Sequence, residues 1–178
     1  MKFGIGQSTA RVEDRRLLIG AGHYSDDIAP GQGLHVAFLR APYAHAHLLN
    51  IDLEAARQLD GVHLVATQAD LDADHIGDVL CQYRPPLIGG GKMRLVSKPA
   101  MVRDINRHAG DIVAMVVADR QETADSAIEL ITAEFEPMPA VTDIYEAMKD
   151  GAPQLYDCYP NNIAFEWEAG KLDETERA

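Results

Sequence analysis

The stretch of sequence that decides the fold is residues 111–119, DIVAMVVAD, in which seven apolar residues lie between two aspartates. A continuous apolar run of this length is typical of a β-strand buried on both faces. Asp119 and Glu122 then have the spacing of a helix N-terminal capping box, with Asp in place of Ser or Thr. The apolar residues that follow have helical spacing and predict one buried helix face: Ala124, Ala127, Ile128 and Ile131.

A second strand is predicted directly after this helix. From Ile131 the apolar period changes to two, because Ala133 and Phe135 alternate with polar residues. Pro137 ends the strand, since proline lacks the amide hydrogen that a sheet requires. The sequence therefore predicts a strand, a helix and a strand in close succession.

The same alternation marks residues 34–40, which we predict as a strand that ends at Pro42. One of its faces is strongly apolar, with Leu34, Val36 and Phe38. The other face is mixed and carries His35, Ala37 and Leu39.

Shorter elements complete the pattern. Asp52 can cap a short helix that Gly61 closes, and residues 62–67 predict another strand. A further short helix is predicted around residues 144–148. The order is strand, helix, strand, long loop, strand, helix, strand. This order predicts a compact α+β domain with mixed strands and two main helices.

Two segments lack a regular pattern. Residues 1–32 are punctuated by glycines and predict an irregular, extended N-terminal arm. Residues 68–100 have little periodicity, and long loops of this kind are often functional or contact a partner. We therefore expect an arm over residues 1–32 and the folded domain over residues 33–150.

Composition narrows the function. The formal net charge of −12 disfavours nucleic-acid binding, because an acidic chain repels phosphate. The longest wholly apolar run, residues 112–118, is far too short to span a bilayer. The first residues show no apolar signal core, so we expect a cytoplasmic protein. Cys81 and Cys158 are predicted to be free thiols, and two cysteines are too few for an iron–sulfur cluster.

The glycine-rich segments do not satisfy nucleotide-binding motifs. Residues 89–92, GGGK, resemble a phosphate-binding loop, but Pro86 and Met93 occupy positions that require Gly and Ser or Thr. Residues 20–22, GAG, are followed by Ser25 where a dinucleotide-binding turn has its third glycine. Neither segment is predicted to bind a nucleotide.

Metal and catalytic sites are also not predicted. His45 and His47 would share one face of a strand, but no third ligand accompanies them, so a surface or interface pair is favoured. Four carboxylates in residues 68–78 lack the pattern of a calcium loop and predict a solvated acidic loop: Asp70, Asp72, Asp74 and Asp78. We therefore assign no catalytic, cofactor-binding or metal-binding residue to this chain.

Several stretches in order carry a family resemblance. They are GQSTARVED (6–14), LIGAGHYSDD (18–27), LHVAFLRAPYAHA (34–46), HAGDIVA (108–114), ADSA (124–127), EFEPMPAV (134–141), GAP (151–153) and Asn162. Together they resemble the large subunits of molybdenum hydroxylases, the group of aldehyde oxidase, xanthine dehydrogenase and aerobic carbon monoxide dehydrogenase. Ala41, Ala109 and Ile112 depart from the residues that are usual there, which are Ser, Val and Pro. The start, with Gly6, Arg11, Glu13 and Asp14, is most similar to the carbon monoxide dehydrogenase type.

The resemblance implies an α/β hammerhead fold over residues 33–150 and a linker over residues 151–178 toward a molybdopterin-binding domain. In this family the molybdopterin cytosine dinucleotide cofactor and the catalytic glutamate belong to larger domains that follow the hammerhead. No position in this sequence matches a cofactor ligand or a catalytic residue of the family. The cofactor is therefore expected in the full-length subunit and not in this chain.

The implied function is that of an N-terminal structural domain in a molybdopterin-dependent hydroxylase or dehydrogenase, inactive by itself. Its implied partners are the molybdopterin-binding domains and the iron–sulfur and FAD subunits of the holoenzyme. The alternative is a standalone or split-subunit interaction module with the same fold and no catalytic role. The reading frame after Ala178 would distinguish the two.

Overall fold

The computed structural model describes residues 6, 11–27, 33–90, 93–167 and 170. The chain divides into two compact units, Met1–Gly33 and Leu34–Ala178. In the first unit, Asp14–Leu18 form a short helix, α1, and Ser25–Asp27 form a 3-10 turn. The prediction of an irregular arm is therefore wrong for these two segments. Much of the rest of that prediction falls outside the described residues.

The second unit holds six strands and four helices among its described residues. In chain order they are β1 (His35–Arg40), β2 (Ala46–Asp52), α2 (Glu54–Arg57), β3 (Val62–Thr67), α3 (Gln68–Ala73), β4 (Ile105–Asn106), β5 (Ile112–Ala118), α4 (Gln121–Glu129), β6 (Thr132–Pro137) and α5 (Ile144–Ala147). The four predicted strands are confirmed as β1, β3, β5 and β6. The helix predicted after Asp52 is a single turn of four residues, α2. Within the described ranges, no helix is both long and apolar enough to cross a membrane.

The first sheet has the strand order β1-β5-β3, and both of its pairs are antiparallel. β5 therefore lies in the middle and is covered by a neighbour along each edge. Val113, Ala114 and Val116 of this strand are fully buried. The strand predicted over residues 112–118 is confirmed, but its burial on both faces is not, because Met115 and Val117 are only partly buried on the face away from α4.

The second sheet has the order β4-β2-β6 and is also antiparallel. Its central strand, β2, was not predicted. The pairing of β2 with β6 shifts register between Leu48 and Asn50. This irregularity interrupts the alternation of apolar and polar residues, which is the signal that a sequence-based prediction uses.

The main core lies between the first sheet and α4, which packs against β1 and β5. Ala124 and Ala127 are fully buried, Ile131 is 8% exposed, and Ile128 packs against the same cluster. The predicted buried helix face is therefore confirmed. A smaller cluster, which includes Val113 and Phe135, joins the two sheets.

The predicted capping box at Asp119 is wrong. The residue before α4 is Arg120, which has extended backbone and no capping hydrogen bond from its side chain. The Asp119 amide instead donates to the Gly61 carbonyl at 3.0 Å. Gly61 has a φ of +85°, and a Cβ there would lie 2.7 Å from the Asp119 carboxylate. Asp119 therefore belongs to a tight approach beside β3, where only glycine fits without strain.

The irregular loop predicted over residues 68–100 begins later than expected. Residues 68–73 form α3, where the Thr67 amide and hydroxyl donate to the Asp70 carboxylate at 2.7 and 3.0 Å. The N-cap residue of α3 is Thr67, which the sequence places at the end of the predicted strand over residues 62–67. Over the described residues between 74 and 104, the only β-strand pairing is an isolated antiparallel bridge between Val79 and Lys98.

Candidate interaction surface

The structure separates the two histidines that the sequence placed together. His45 is only 5% exposed, and its Nδ1–H donates to the Pro139 carbonyl at 2.9 Å. His47 lies in β2 opposite Glu136. The interpretation of a surface pair is therefore wrong for His45, whose ring ties the residues after β6 to the second sheet.

The acidic loop is not simply solvated. Asp70 lies in the first turn of α3 and accepts a hydrogen bond from the amide of the N-cap residue Thr67, and this bond is the largest of the effects that lower the pKa of the Asp70 carboxyl group. The sequence indicated a run of acids, but it did not indicate that one of them stabilises a helix N-terminus.

Arg103 holds two more of these carboxylates. Its guanidinium donates to Asp72 at 2.8 and 2.9 Å and to Asp78 at 3.1 Å. These bonds lower the pKa of Asp72 to about 2, with help from Gln68. The pKa of Asp78 is lowered first by the Ser97 hydroxyl and then by Arg103. The cluster connects α3 to the end of the long loop and gives Asp72 and Asp78 a structural role.

Three concavities among the described residues differ in size and in the residues that line them. Two of them, beside Arg107 and Tyr156, hold about 30 and 160 Å³. A third, of about 340 Å³, is an open groove over β3 whose one cation, Arg57, already lies 3.8 Å from Asp70.

Arg107 has a packing role in that region. Its Nε donates to the Leu155 carbonyl at 2.8 Å, and the guanidinium lies 4.5 Å from the centre of the Tyr156 ring. Cation–π contacts and carbonyl bonds of this kind fix a side chain in place. Arg107 thereby attaches the segment after residue 153 to β4.

The long loop contacts the segment after residue 153 as well. The Ile88 amide donates to the Glu166 carbonyl at 3.2 Å. The Arg94 guanidinium donates to the Cys158 carbonyl at 3.2 Å, and the Tyr159 hydroxyl donates to the Arg94 carbonyl at 2.6 Å. Loop and segment therefore hold each other through backbone and side-chain bonds.

Both cysteines are free and exposed. The prediction of two free thiols is confirmed. Neither thiol lies in a group of three or more His, Cys, Asp or Glu side chains that could hold a metal, in the ranges that the structure describes.

The clearest surface feature is the face of the first sheet that points away from α4, here called the outer face. Two rows of apolar side chains cross it in register: Val36, Val117 and Leu64 in one row, and Phe38, Met115 and Ala66 in the other. Three of these side chains are between 41% and 47% exposed: Val36, Phe38 and Leu64. The strongly apolar side of β1 thus faces outward, and its mixed side packs on the core.

The second sheet exposes charged side chains and one large apolar side chain, Leu49, which is 61% exposed. Glu134 and Glu136 of β6 are exposed and lie opposite Asn50 and His47 of β2. Antiparallel sheets commonly bury one face and leave a polar face in water. The second sheet follows this rule, whereas the first sheet has apolar side chains on both faces. The outer face therefore leaves three large apolar side chains, Val36, Phe38 and Leu64, partly exposed.

The fold and this surface can be compared with known proteins. The family model described as the a/b hammerhead domain of aldehyde oxidase and xanthine dehydrogenase matches residues 19–139. This chain belongs to that family. The hammerhead fold expected from the resemblance is confirmed, with the two antiparallel sheets and few helices described above.

Curated relatives of this hammerhead chain are large subunits. It is 34% identical over 172 residues to the nicotine 6-hydroxylase large subunit of Paenarthrobacter nicotinovorans, covering 96% of the chain and 20% of the relative. It is 32% identical over 185 residues to the carbon monoxide dehydrogenase large chain of Afipia carboxidovorans, covering 97% of the chain and 22% of the relative. The chain therefore spans about a fifth of the length of the relatives it matches.

A solved structure agrees with the fold. Quinoline 2-oxidoreductase from Pseudomonas putida 86 aligns with a TM-score of 0.70 and 37% identity, over 89% of this chain and 19% of the other. The Cu,Mo-containing carbon monoxide dehydrogenase aligns with a TM-score of 0.61 and 33% identity, over 84% and 18%.

Proposed function

We propose that this chain is the N-terminal structural domain of a molybdopterin-dependent oxidoreductase large subunit. The observation that carries the proposal is that the alignment covers nearly all of this chain but only a small part of the relative. Nearly all of this chain, 96%, matches a large subunit, yet it accounts for only 20% of that relative. A piece with its own core and family membership, but a fifth of the relative's length, fits a domain of a larger assembly.

In this role the chain supplies a packing surface and no chemistry. The molybdopterin cytosine dinucleotide is expected in the rest of the large subunit, where it would supply the redox chemistry. The support from this chain is its sequence, in which no position matches a cofactor ligand of the family that it resembles. The apolar outer face is the feature with which the chain would contribute to the enzyme.

The expected partners are the molybdopterin-binding domains together with iron–sulfur and FAD subunits. One relative, from Paenarthrobacter nicotinovorans, is named a subunit of a dehydrogenase complex and is 34% identical over 145 residues. This supports a multi-subunit enzyme. The number and kind of the other subunits belong to the proposal.

The carbon monoxide dehydrogenase type is the finer part of the proposal. Large chains of this enzyme from Afipia carboxidovorans and Hydrogenophaga pseudoflava are 32% and 34% identical to the chain. The nicotine 6-hydroxylase large subunit is equally similar at 34%. The substrate is therefore left open, since one fold can serve many substrates.

The test compares the purified 178-residue chain with the assembled enzyme. The chain alone is expected to contain no molybdenum and to reduce no dye with aldehydes, purines or carbon monoxide. The assembled enzyme is expected to contain molybdenum and to reduce dye with one of these substrate classes. Stoichiometric molybdenum in the isolated chain would refute the structural role.

A further inference from the structure

On the outer face of the first sheet, Val36, Phe38 and Leu64 are 41–47% exposed, whereas Ala66 is only 3% exposed. The six side chains of this face are all apolar, in a chain with a net charge of −12. We propose that this outer face docks onto an apolar surface in the remainder of the large subunit, the part of the relatives that this chain does not match. This inference rests on the proposed function and adds to it the face that is used.

The chemistry of the outer face indicates the kind of partner. No acidic residue lies in its two rows, so a charged partner surface would lose water there without gaining a counter-charge. Arg40 lies at the end of β1, with its guanidinium 5.8 Å from the Phe38 ring and one bond, of 2.9 Å, to the Gly110 carbonyl. We therefore expect the partner to be apolar where it contacts the two rows of the outer face. At the edge of the face, a carbonyl or carboxylate of the partner would accept a hydrogen bond from Arg40.

The size of the patch favours the same subunit over a second copy of this chain. Large apolar side chains offer about 150–250 Å² when fully exposed, so three of them at 41–47% exposure present on the order of 200–300 Å². A stable complex of separate proteins buries about 800 Å² on each partner. A covalently connected segment docks at an effective concentration near the millimolar range, so a smaller patch is sufficient.

The other outward face is a poor competitor. Glu134 and Glu136 are charged and exposed on the second sheet. Burying them against an apolar surface would leave carboxylates without partners, which costs several kilocalories per mole in other proteins. A large apolar partner can therefore cover the outer face more easily than the face that carries Glu134 and Glu136.

The experiment places a photo-crosslinking residue on each face of the holoenzyme. Phe38→p-benzoylphenylalanine reports on the outer face. Leu49→p-benzoylphenylalanine in β2 is the matched control, because Leu49 is also apolar and is 61% exposed. After illumination the crosslinked peptides are identified by mass spectrometry. We expect position 38 to crosslink to large-subunit segments outside this chain, and position 49 to give only background.

Each other outcome overturns the inference. No crosslink at position 38 in a holoenzyme that contains molybdenum would show that the outer face is open to solvent, and the proposed function would stand. A crosslink from position 38 to a second copy of this chain would show that the outer face forms a dimer interface and does not contact the rest of the large subunit. A purified full-length protein that contains no molybdenum would overturn the proposed function and the inference together.

A charge placed on each face provides a second measurement. Phe38→Lys is expected to weaken docking by about 100-fold or more, because an unpaired charge would be buried in the interface. Leu49→Lys is the control and should assemble like the unaltered enzyme. Both isolated chains should keep the thermal midpoint of the unaltered chain, which separates docking from folding. Normal assembly of the Phe38→Lys enzyme would contradict the proposal.

Discussion

The two sheets of the second unit are built alike but present different surfaces. Both have three antiparallel strands, and both contribute an inward face to the core. The outward face of the second sheet carries Glu134 and Glu136, whereas that of the first carries Val36, Phe38 and Leu64. The first sheet therefore exposes three apolar side chains on its outward face, whereas the second sheet exposes two carboxylates beside Leu49.

This contrast connects the structure with the proposed role. A domain that acts alone has no use for an apolar sheet face in water, since such a face promotes association. In the proposed role, this face docks onto the rest of the large subunit. The comparison of the two sheets can be tested by changes that act on one sheet and not on the other.

The largest effect is expected at the inner face of the first sheet. Val116→Asp would place a carboxylate at a fully buried position in the central strand. Such a change should cost more than about 4 kcal/mol and leave the isolated chain unfolded. Circular dichroism and thermal unfolding would measure this, and a folded variant with an ordinary midpoint would contradict the assigned core.

The next effect compares one aromatic side chain from each sheet. Phe135 of β6 packs in the cluster between the sheets, with its ring 5.7 Å from that of Tyr43, whereas Phe38 is 42% exposed. In the isolated chain, Phe135→Ala should destabilise by about 2–3 kcal/mol and Phe38→Ala by less than about 1 kcal/mol. Urea unfolding gives both values. Equal losses would mean that the outer face contributes to the core.

A smaller effect is expected from the acidic cluster beside the first sheet. The folded pKa of Asp72 is about 2, below the ordinary value of 3.8, because Arg103 and Gln68 donate to the carboxylate. A lowered folded pKa stabilises the protein above the ordinary pKa, and this contribution is lost as the pH falls from 3.8 toward 2. Arg103→Met should therefore lower the thermal midpoint at pH 6.

The pH dependence is the critical control for that variant. The difference in midpoint between the unaltered chain and Arg103→Met should shrink as the pH falls through this window. A difference that stays constant from pH 6 to pH 2 would show that Arg103 acts through packing and not through Asp72 and Asp78. The exposure of the pair keeps the expected effect modest.

The smallest effect is expected on the polar face of the second sheet. Glu134→Gln removes a charge from an exposed strand position and should change stability by no more than about 0.5 kcal/mol. Assembly with the large subunit should also be unchanged. A large loss of assembly in this variant would assign docking to the second sheet and reverse the comparison.

Much of the secondary structure could be predicted because its signal is local. The apolar run over residues 112–118 and the helical spacing from Ala124 to Ile131 identify β5 and α4 without tertiary information. β2 was missed because its register shift breaks the alternation. The cap of α3 was missed because Thr67 also ends a strand, so one residue has two roles.

The candidate interaction surface could be predicted only in part. The sequence indicated that β1 has one strongly apolar side and one mixed side. Small residues on the mixed side, such as Ala37, allow α4 to pack closely, so the mixed side faces the core. Alternation alone does not report which side of a strand a helix covers, because that depends on the residues it must fit.

The sequence by itself determined the family, the central strand, the main helix and the absence of a recognisable catalytic motif, because these depend on residue types at short spacing. The tertiary structure decided that His45 is buried, that Asp72 and Asp78 bind Arg103, and that Val36 and Phe38 face outward. These features depend on contacts between residues far apart in the chain. Such contacts form only when the sheets and helices have packed.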